Sequence, residues 1–145
     1  MENEITFVVE ELGGETALGR PVHTGEDMSA VIREGFPRAV VQGLVKASGL
    51  TLHEVASCLD LSIRSLQRRK YEGRLARYES DRLYRLARVV ALAKHFIGNQ
   101  KMATDWLRRP NVVLGSVPPL RLLDTQIGAS EVEHILGRIG YGGVS

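Results

Sequence analysis

The chain has little of what membrane-spanning, secreted and disulfide-stabilised proteins require. Its longest uninterrupted apolar run covers only residues 89–93, whereas a membrane-spanning helix needs about 20 apolar residues. The single cysteine, Cys58, excludes an internal disulfide and favours a buried thiol in a reducing compartment. No basic segment followed by an apolar run opens the sequence. We therefore expect no secretion signal, no membrane association and a cytoplasmic location.

The residue patterns of catalytic and metal-binding sites are also scarce. Helical spacing that would place two metal ligands on one helix face is absent among Cys58 and the four histidines, His23, His53, His95 and His134. No glycine-rich segment precedes a helix carrying Lys-Ser or Lys-Thr, so a phosphate-binding loop is not indicated. The acidic residues near the start are scattered rather than paired for acid–base chemistry. The sequence predicts no enzyme, no cofactor and no metal site.

Strand-like alternation is rare, and apolar residues recur mainly at helical spacing. With 145 residues and 43% hydrophobic content, the chain can form one domain or two small domains that share a core. Residues 1–25 alternate weakly and predict a short strand or a disordered acidic arm. The remainder predicts an all-α fold with helices over about 27–35, 37–48, 52–59, 62–70, 79–97, 100–109 and 131–139, the last with a Ser130–Glu133 capping box. Residues 140–145 are too rich in glycine to hold a helix.

The net charge of +2 conceals an uneven distribution of charged residues. Residues 1–27 carry seven acidic residues and one basic residue, whereas residues 64–94 carry ten basic and three acidic ones. Only the middle of the chain is therefore suited to face a polyanion. We assign Arg82, Arg85 and Arg88 to a solvated helix face with intrahelical ion pairs, and the basic cluster at 64–70 to polyanion binding.

Residues 51–70 show the pattern of a helix-turn-helix. Thr51 and Glu54 have the spacing of a capping box that opens the first helix. Ala56 provides a small residue where the second helix crosses, and the apolar residues that can lock the pair are Val55, Leu59, Leu61 and Leu66. Asp60 stands in the turn where glycine is usual, and aspartate is one of the few other residues that tolerate a positive φ.

The second helix of this motif carries the predicted DNA-binding residues, which are Ser62, Arg64, Ser65, Gln67, Arg68, Arg69 and Lys70. Arginine can bind guanine and glutamine can bind adenine through two hydrogen bonds, while Ser62 can bind a phosphate at the helix N-terminus. Arg69 and Lys70 are better placed for phosphates, which add affinity rather than sequence selectivity. A helical hairpin with a charged outer face is the alternative.

An ordered series of landmarks follows the hairpin: Glu79-Ser80-Asp81-Arg82-Leu83, Arg85-Leu86-Ala87, Ala103, Trp106-Leu107, Pro110-Asn111, Leu114-Gly115, Pro118-Pro119-Leu120, Leu123, Thr125 and Gly128. With Leu66-Gln67-Arg68-Arg69 upstream, residues 37–142 resemble the Xre/MbcA/ParS antitoxin family. The resemblance implies a type II toxin–antitoxin system whose toxin has a RES domain and degrades NAD⁺. It further implies that the antitoxin covers the toxin's active-site cleft with its C-terminal helix and tail, and that the complex represses its own operon.

The last predicted helix and the tail are the candidate toxin-binding segment. Its apolar face and polar end supply the candidate contacts Val132, Ile135, Leu136, Arg138, Ile139 and Tyr141. A frayed terminus would explain the same residues from sequence alone, whereas the resemblance favours contact with the toxin. Trp106 and Leu107 are assigned to the core.

These patterns divide the chain into an acidic arm at 1–25, a helix-turn-helix domain at 26–73, a toxin-binding domain at 74–139 and a flexible tail at 140–145. The predicted partners are a RES-domain toxin, a palindromic operator DNA and a second copy of the chain, because repressors of palindromic sites are usually homodimers. Two alternatives stay open. One is a stand-alone regulator without a toxin. The other is a protein inhibitor that has lost DNA binding, which Asp60 in the turn and Ile63 at a base-facing position would suit.

Overall fold

The computed structural model describes residues 4–69 and 73–141, and for Arg69 the backbone only. The fold of this part of the chain is entirely helical, without a strand, which confirms the predicted all-α class. Its elements in chain order are α1 (Glu4–Glu11), α2 (Gly14–Leu18), α3 (Gly25–Glu34), α4 (Ala39–Ser48), α5 (Leu52–Cys58), α6 (Ile63–Arg69), α7 (Arg77–Ile97), α8 (Gln100–Arg108), the 3₁₀ turns η1 (Val112–Leu114) and η2 (Pro119–Leu122), and α9 (Gln126–Tyr141).

The long helix α7 is the centre of the fold. It packs against α1, α3, α4, α5, α8 and α9. Because it is covered on several sides, its apolar residues are buried around much of its circumference, including Leu83, Leu86, Val89, Val90 and Ala93. One hydrophobic core therefore joins the first and second halves of the chain.

The prediction of a strand or a disordered arm at the N-terminus is wrong. The segment forms α1 and α2, and Val8 and Leu12 are fully buried in the common core. Glu11 is also buried, and its Oε2 accepts a hydrogen bond from Lys94 Nζ of α7 at 2.9 Å. Helices this short are marginal alone. Packing against α7 and α4 stabilises α1, and packing against α1 and α4 stabilises α2.

The C-terminal helix is longer than predicted at both ends. The Thr125 hydroxyl accepts a hydrogen bond from the Gly128 N–H at 3.0 Å. Ser130 lies inside α9, so the predicted Ser130–Glu133 capping box is wrong. Gly128 is required because a Cβ there would lie 2.0 Å from the Leu122 carbonyl oxygen. Gly140 and Tyr141 remain helical, which corrects the predicted tail at those positions, while residues 142–145 lie outside the described chain.

Candidate functional site

Helices α5 and α6 form the hairpin that the sequence predicts. The Thr51 hydroxyl accepts from the Glu54 N–H at 3.1 Å, and Glu54 Oε1 accepts from the Thr51 N–H at 2.8 Å, which confirms the capping box. Asp60 adopts a φ of 57°, as predicted for the turn. The Leu61 N–H donates to the Ala56 carbonyl at 2.9 Å and closes the turn. The local geometry of a helix-turn-helix is therefore present.

The outer surface of α6 presents the polar residues singled out from the sequence. Ser62, Arg64, Gln67 and Arg68 are exposed and Ser65 is partly exposed, while Leu66 is buried against the core. The Ser62 hydroxyl accepts from the Ser65 N–H at 3.0 Å and so caps α6. Arg69 ends the helix, and Lys70 lies outside the described residues.

Ile63 was expected at a base-facing position, and the structure corrects this expectation. Its side chain is partly buried and packs against the hydrophobic core. The helical period places it beside the buried Leu66 rather than among the exposed arginines. The partial burial of Ile63 and the well-formed turn at Asp60 are both compatible with a helix-turn-helix that binds DNA.

Two arginines from the second half of the chain hold α5 at its ends. Arg108 of α8 donates to Glu54 Oε2 at 2.9 Å, to Glu54 Oε1 at 2.8 Å and to the Gly49 carbonyl at 3.0 Å. Hydrogen bonds from Arg108 hold the pKa of Glu54 below its ordinary value. At the other end, Arg82 of α7 donates to the Leu59 carbonyl at 2.9 Å. The helix-turn-helix is thus clamped to α7 and α8.

The middle arginines were assigned to a solvated face with intrahelical pairs, and this assignment is wrong for Arg82 and Arg88. Arg82 donates its hydrogen bond to the Leu59 carbonyl at the end of α5. Arg88 forms ion pairs with Glu4 of α1 at 2.9 Å and with Glu133 of α9 at 3.0 Å. Arg88 therefore connects three helices. Sequence spacing could not reveal these contacts because the partners lie far away in the chain.

The first family landmark, residues 79–83, connects the start of α7 to the segment that follows α3. Glu79 Oε1 accepts from the Ala76 N–H at 2.8 Å and helps to begin α7. The Ser80 hydroxyl accepts from the Phe36 N–H at 2.8 Å and donates to the Ala76 carbonyl at 2.9 Å. Leu83 is fully buried. These residues fix the end of α3 against the start of α7.

The predicted toxin-binding residues of α9 separate into two groups. Val132 and Leu136 are fully buried because they form the face that packs inside the chain's own core, which corrects their assignment to a partner surface. Ile135 is partly buried, whereas Arg138 is exposed, and Ile139 and Tyr141 are 41% and 74% exposed. Tyr141 also meets the Phe96 ring edge to face at a centroid distance of 5.1 Å.

Two neighbouring grooves follow the outer face of α9. One, of about 720 Å³, reaches from Ser130 to Tyr141. The other, of about 450 Å³, extends to Val113 and Leu114 of η1 and to Ile127. Both are lined by Ser130, His134 and Arg138, which are spaced four residues apart along one side of the helix. A polar stripe bordered by apolar side chains is thus available to a partner.

The described residues offer little for catalysis or metal binding. Burial raises the pKa of Cys58 to about 12, and the thiol donates weakly to the Leu120 carbonyl at 3.7 Å. A thiol in this state is a poor nucleophile. Across residues 4–69 and 73–141, no group of three or more His, Cys, Asp or Glu could hold a metal ion. Within the same ranges, no helix is long and apolar enough to span a membrane.

Family models match both halves of the chain. Residues 27–88 match the antitoxin Xre-like helix-turn-helix domain, and residues 91–142 match the antitoxin Xre/MbcA/ParS C-terminal toxin-binding domain. The first model thus ends and the second begins within α7, the helix shared by both halves of the core.

Relatives named Antitoxin Xre resemble the chain over most of its length. The protein from Photorhabdus laumondii is 34% identical over 130 residues, covering 88% of both chains. The protein from Yersinia enterocolitica is 32% identical over 127 residues, covering 86% of both. A chain in the crystal structure of the M. tuberculosis MbcT–MbcA toxin–antitoxin complex is 26% identical, with a TM-score of 0.60 and coverage of 74% of this chain and 96% of that one. The chain therefore belongs to the Xre/MbcA/ParS family of antitoxins, with a helix-turn-helix half and a toxin-binding half.

Proposed function

We propose that this antitoxin neutralises a RES-domain, NAD⁺-degrading toxin by covering its active-site cleft. The observation that carries the proposal is the exposed outer face of α9, where Arg138 and Tyr141 border a groove in the matched toxin-binding domain. The resemblance to the family supplies the class of toxin. The chain acts as a non-enzymatic inhibitor, and its place is the cytoplasm, where NAD⁺ and DNA are both accessible.

The same chain represses its own operon by binding a palindromic operator as a homodimer. The geometry of the turn at Asp60 and the exposure of Arg64, Gln67 and Arg68 on α6 support this part of the proposal. These three residues suit base edges in the major groove. Arg69 and Lys70 are assigned to phosphates, Ser62 to a phosphate at the helix N-terminus, and Ser65 to the same exposed side of the helix as Arg64 and Arg68.

Co-expression with the adjacent open reading frame tests the toxin assignment. Cell growth and cellular NAD⁺ are followed in cells that express the neighbouring gene product alone and in cells that express both proteins. The proposal expects the neighbour to stop growth and deplete NAD⁺, and the antitoxin to restore both. A harmless neighbour would favour a stand-alone helix-turn-helix regulator instead.

Single substitutions test the face of α9. Arg138→Gln and Tyr141→Ala remove exposed groups and should weaken neutralisation. Arg138→Gln should leave the melting temperature unchanged, whereas Tyr141→Ala should lower it only by the cost of the lost ring contact with Phe96. Lys46→Gln is a matched control because Lys46 is an exposed cation on α4. If Arg138→Gln and Tyr141→Ala rescue cells as well as the unaltered chain does, these two residues take no part in toxin binding.

Salt titration tests the DNA-binding helix. Arg64→Gln and Arg68→Gln should each weaken operator binding because each removes a contact with a base edge, whereas Arg69→Gln removes a phosphate contact and should reduce the slope of log affinity against log salt by about one. Fluorescence anisotropy with an operator fragment measures both quantities, again with Lys46→Gln as control. Unchanged affinity in all three variants, with an unchanged slope in Arg69→Gln, would leave a protein inhibitor whose helix-turn-helix does not bind DNA.

A further inference from the structure

Three aliphatic side chains stand out from the surface beside the α9 grooves. Val112 and Val113 of η1 are 86% and 69% exposed, and Ile127 in the first turn of α9 is 77% exposed. Val113 and Ile127 line the same groove. Scattered exposed apolar residues are ordinary, but neighbouring ones beside a groove mark a protein-binding surface. We call Val112, Val113 and Ile127 the aliphatic ridge.

The loop that carries the two valines is held rigidly. Asn111 Oδ1 accepts from the Val113 N–H at 3.0 Å, and the Asn111 carbonyl accepts from the Ser116 N–H at 2.8 Å. The Asn111 N–H donates to the Val117 carbonyl at 3.2 Å and closes the loop. Gly115 supports the turn with a φ of 78°. A surface ordered before binding loses little conformational entropy when a partner docks.

We propose that the aliphatic ridge anchors the antitoxin in an apolar depression on the toxin, at the edge of the active-site cleft. This inference rests on the proposed toxin binding. The ridge lies within residues 91–142, which match the toxin-binding domain, and shares a groove with Arg138. Aliphatic side chains offer no charge to phosphates, so DNA is an unsuitable partner. The ridge supplies apolar anchoring, while the polar stripe of α9 faces the cleft.

The sequence landmarks acquire a second role under this proposal. Asn111 and Gly115 both belong to the landmark series, and both shape the loop that presents Val112 and Val113. In this chain, these two landmark residues therefore hold a contact surface in place. The identity of the two displayed side chains would then adjust the fit to one toxin.

Charge-introducing substitutions in the full chain test the ridge. Val112→Asp and Val113→Asp should each weaken binding to the purified toxin by about tenfold or more, since a buried interface anchor is replaced by a charge. Gln42→Asp is the matched control, because it places the same charge on an exposed position of α4. The double variant Val112→Ser/Val113→Ser removes the apolar surface without adding charge. Toxin affinity is measured by calorimetry, with operator affinity and melting temperature as readouts of folding.

The expected result is a loss of toxin affinity in the ridge variants with operator affinity and melting temperature unchanged. If the unaltered chain binds the toxin and the serine double variant binds it equally well, the ridge proposal is overturned while toxin binding stands. If the unaltered chain binds no toxin, the proposed function fails and the ridge proposal falls with it. If the variants keep toxin affinity and lose self-association in sedimentation, the ridge joins two copies of the chain, which also overturns the proposal.

Discussion

The buried ion pair between Lys94 and Glu11 provides a sharp test of how the N-terminal helices are held. Lys94 Nζ donates to Glu11 Oε2 at 2.9 Å and to the Ala47 carbonyl at 2.7 Å, so it joins α1, α4 and α7. The Glu11 side chain is only 5% exposed and that of Lys94 is 26% exposed. Burial raises the pKa of Glu11, and the hydrogen bond and charge of Lys94 offset this only in part. The substitution Lys94→Met leaves a buried carboxylate without its cation.

The expected loss of stability is large for one substitution. Removing one partner of a buried ion pair typically costs about 3–5 kcal/mol. The partial solvation of Lys94 places the loss here at the lower end, about 3 kcal/mol. Whole domains are stable by only about 5–15 kcal/mol. In a chain of this length, a loss of that size lowers the melting temperature by about 10 °C.

The loss should also depend on pH, with a sign set by Glu11. Because its pKa is raised in the folded state, folding favours the protonated carboxyl, and stability is gained as the pH falls through that pKa toward the ordinary value of 4.5. Without Lys94 the pKa of Glu11 rises further, so the deficit of Lys94→Met should be greatest at pH 8 and shrink toward pH 5. Urea unfolding across this range measures it.

The double variant Glu11→Leu/Lys94→Met is the matched control. It replaces the ion pair with apolar groups and should recover most of the stability, with little dependence on pH between 5 and 8. A Lys94→Met chain as stable as the original at pH 8, or one whose deficit is the same at every pH, would refute the reasoning. Either result would mean that Glu11 remains hydrated or paired in another way.

Three further substitutions probe other parts of the fold. Arg108→Gln breaks the two-bond contact with Glu54 and should cost about 1 kcal/mol by thermal unfolding, since the pair is partly exposed. This difference should shrink as the pH falls through the lowered pKa of Glu54, down to the part that the pH-independent hydrogen bond from Arg108 to the Gly49 carbonyl supplies, and a constant difference would contradict it. Asp60→Val forces a β-branched residue to a φ of 57° and should cost about 1–3 kcal/mol, with Asp60→Gly as the tolerated control. Gly140→Val places a Cβ 2.0 Å from the Phe96 ring and should displace the end of α9. The variant should therefore fail to restore cell growth fully in co-expression with the toxin, and full restoration of growth would contradict this.

Most helix boundaries could be predicted because local signals determine them. Thr51 with Glu54 and Asn99 with Met102 form caps that need only neighbouring residues, and Gly98 follows α7 as its position in the sequence indicates. The turn at Asp60 was likewise predictable, since few residues other than glycine tolerate its φ. The N-terminal helices were not predictable in this way. Their stability comes from packing against α7 and α4, which lie far away in the sequence, and the alternation of Ile5, Phe7 and Val9 resembles a strand.

The candidate site was predictable only in part because burial depends on the tertiary fold. The apolar pattern of α9 identified a packing face, but it could not show that Val132 and Leu136 face α7 inside the chain rather than a partner. The exposure of Val112 and Val113 was equally hidden, since the default expectation for valine is burial. The contact between Arg108 and Glu54 joins residues 54 positions apart, and charge patterning alone cannot select such a pair.

The arrangement of arginines bears on how the two halves of the antitoxin work together. Helix α6, which is proposed to bind DNA, follows α5, and α5 is held by Arg82 from α7 and Arg108 from α8. Helix α9, the proposed toxin-binding helix, packs on the same α7, and Arg88 ties the two together through Glu133. Moving α6 relative to α9 would break these charged hydrogen bonds within a single core, and such bonds to charged groups are stronger than neutral ones. We therefore expect toxin and DNA to meet two faces of one rigid body, so that the spacing of toxins on an operator follows from the fold of a single chain.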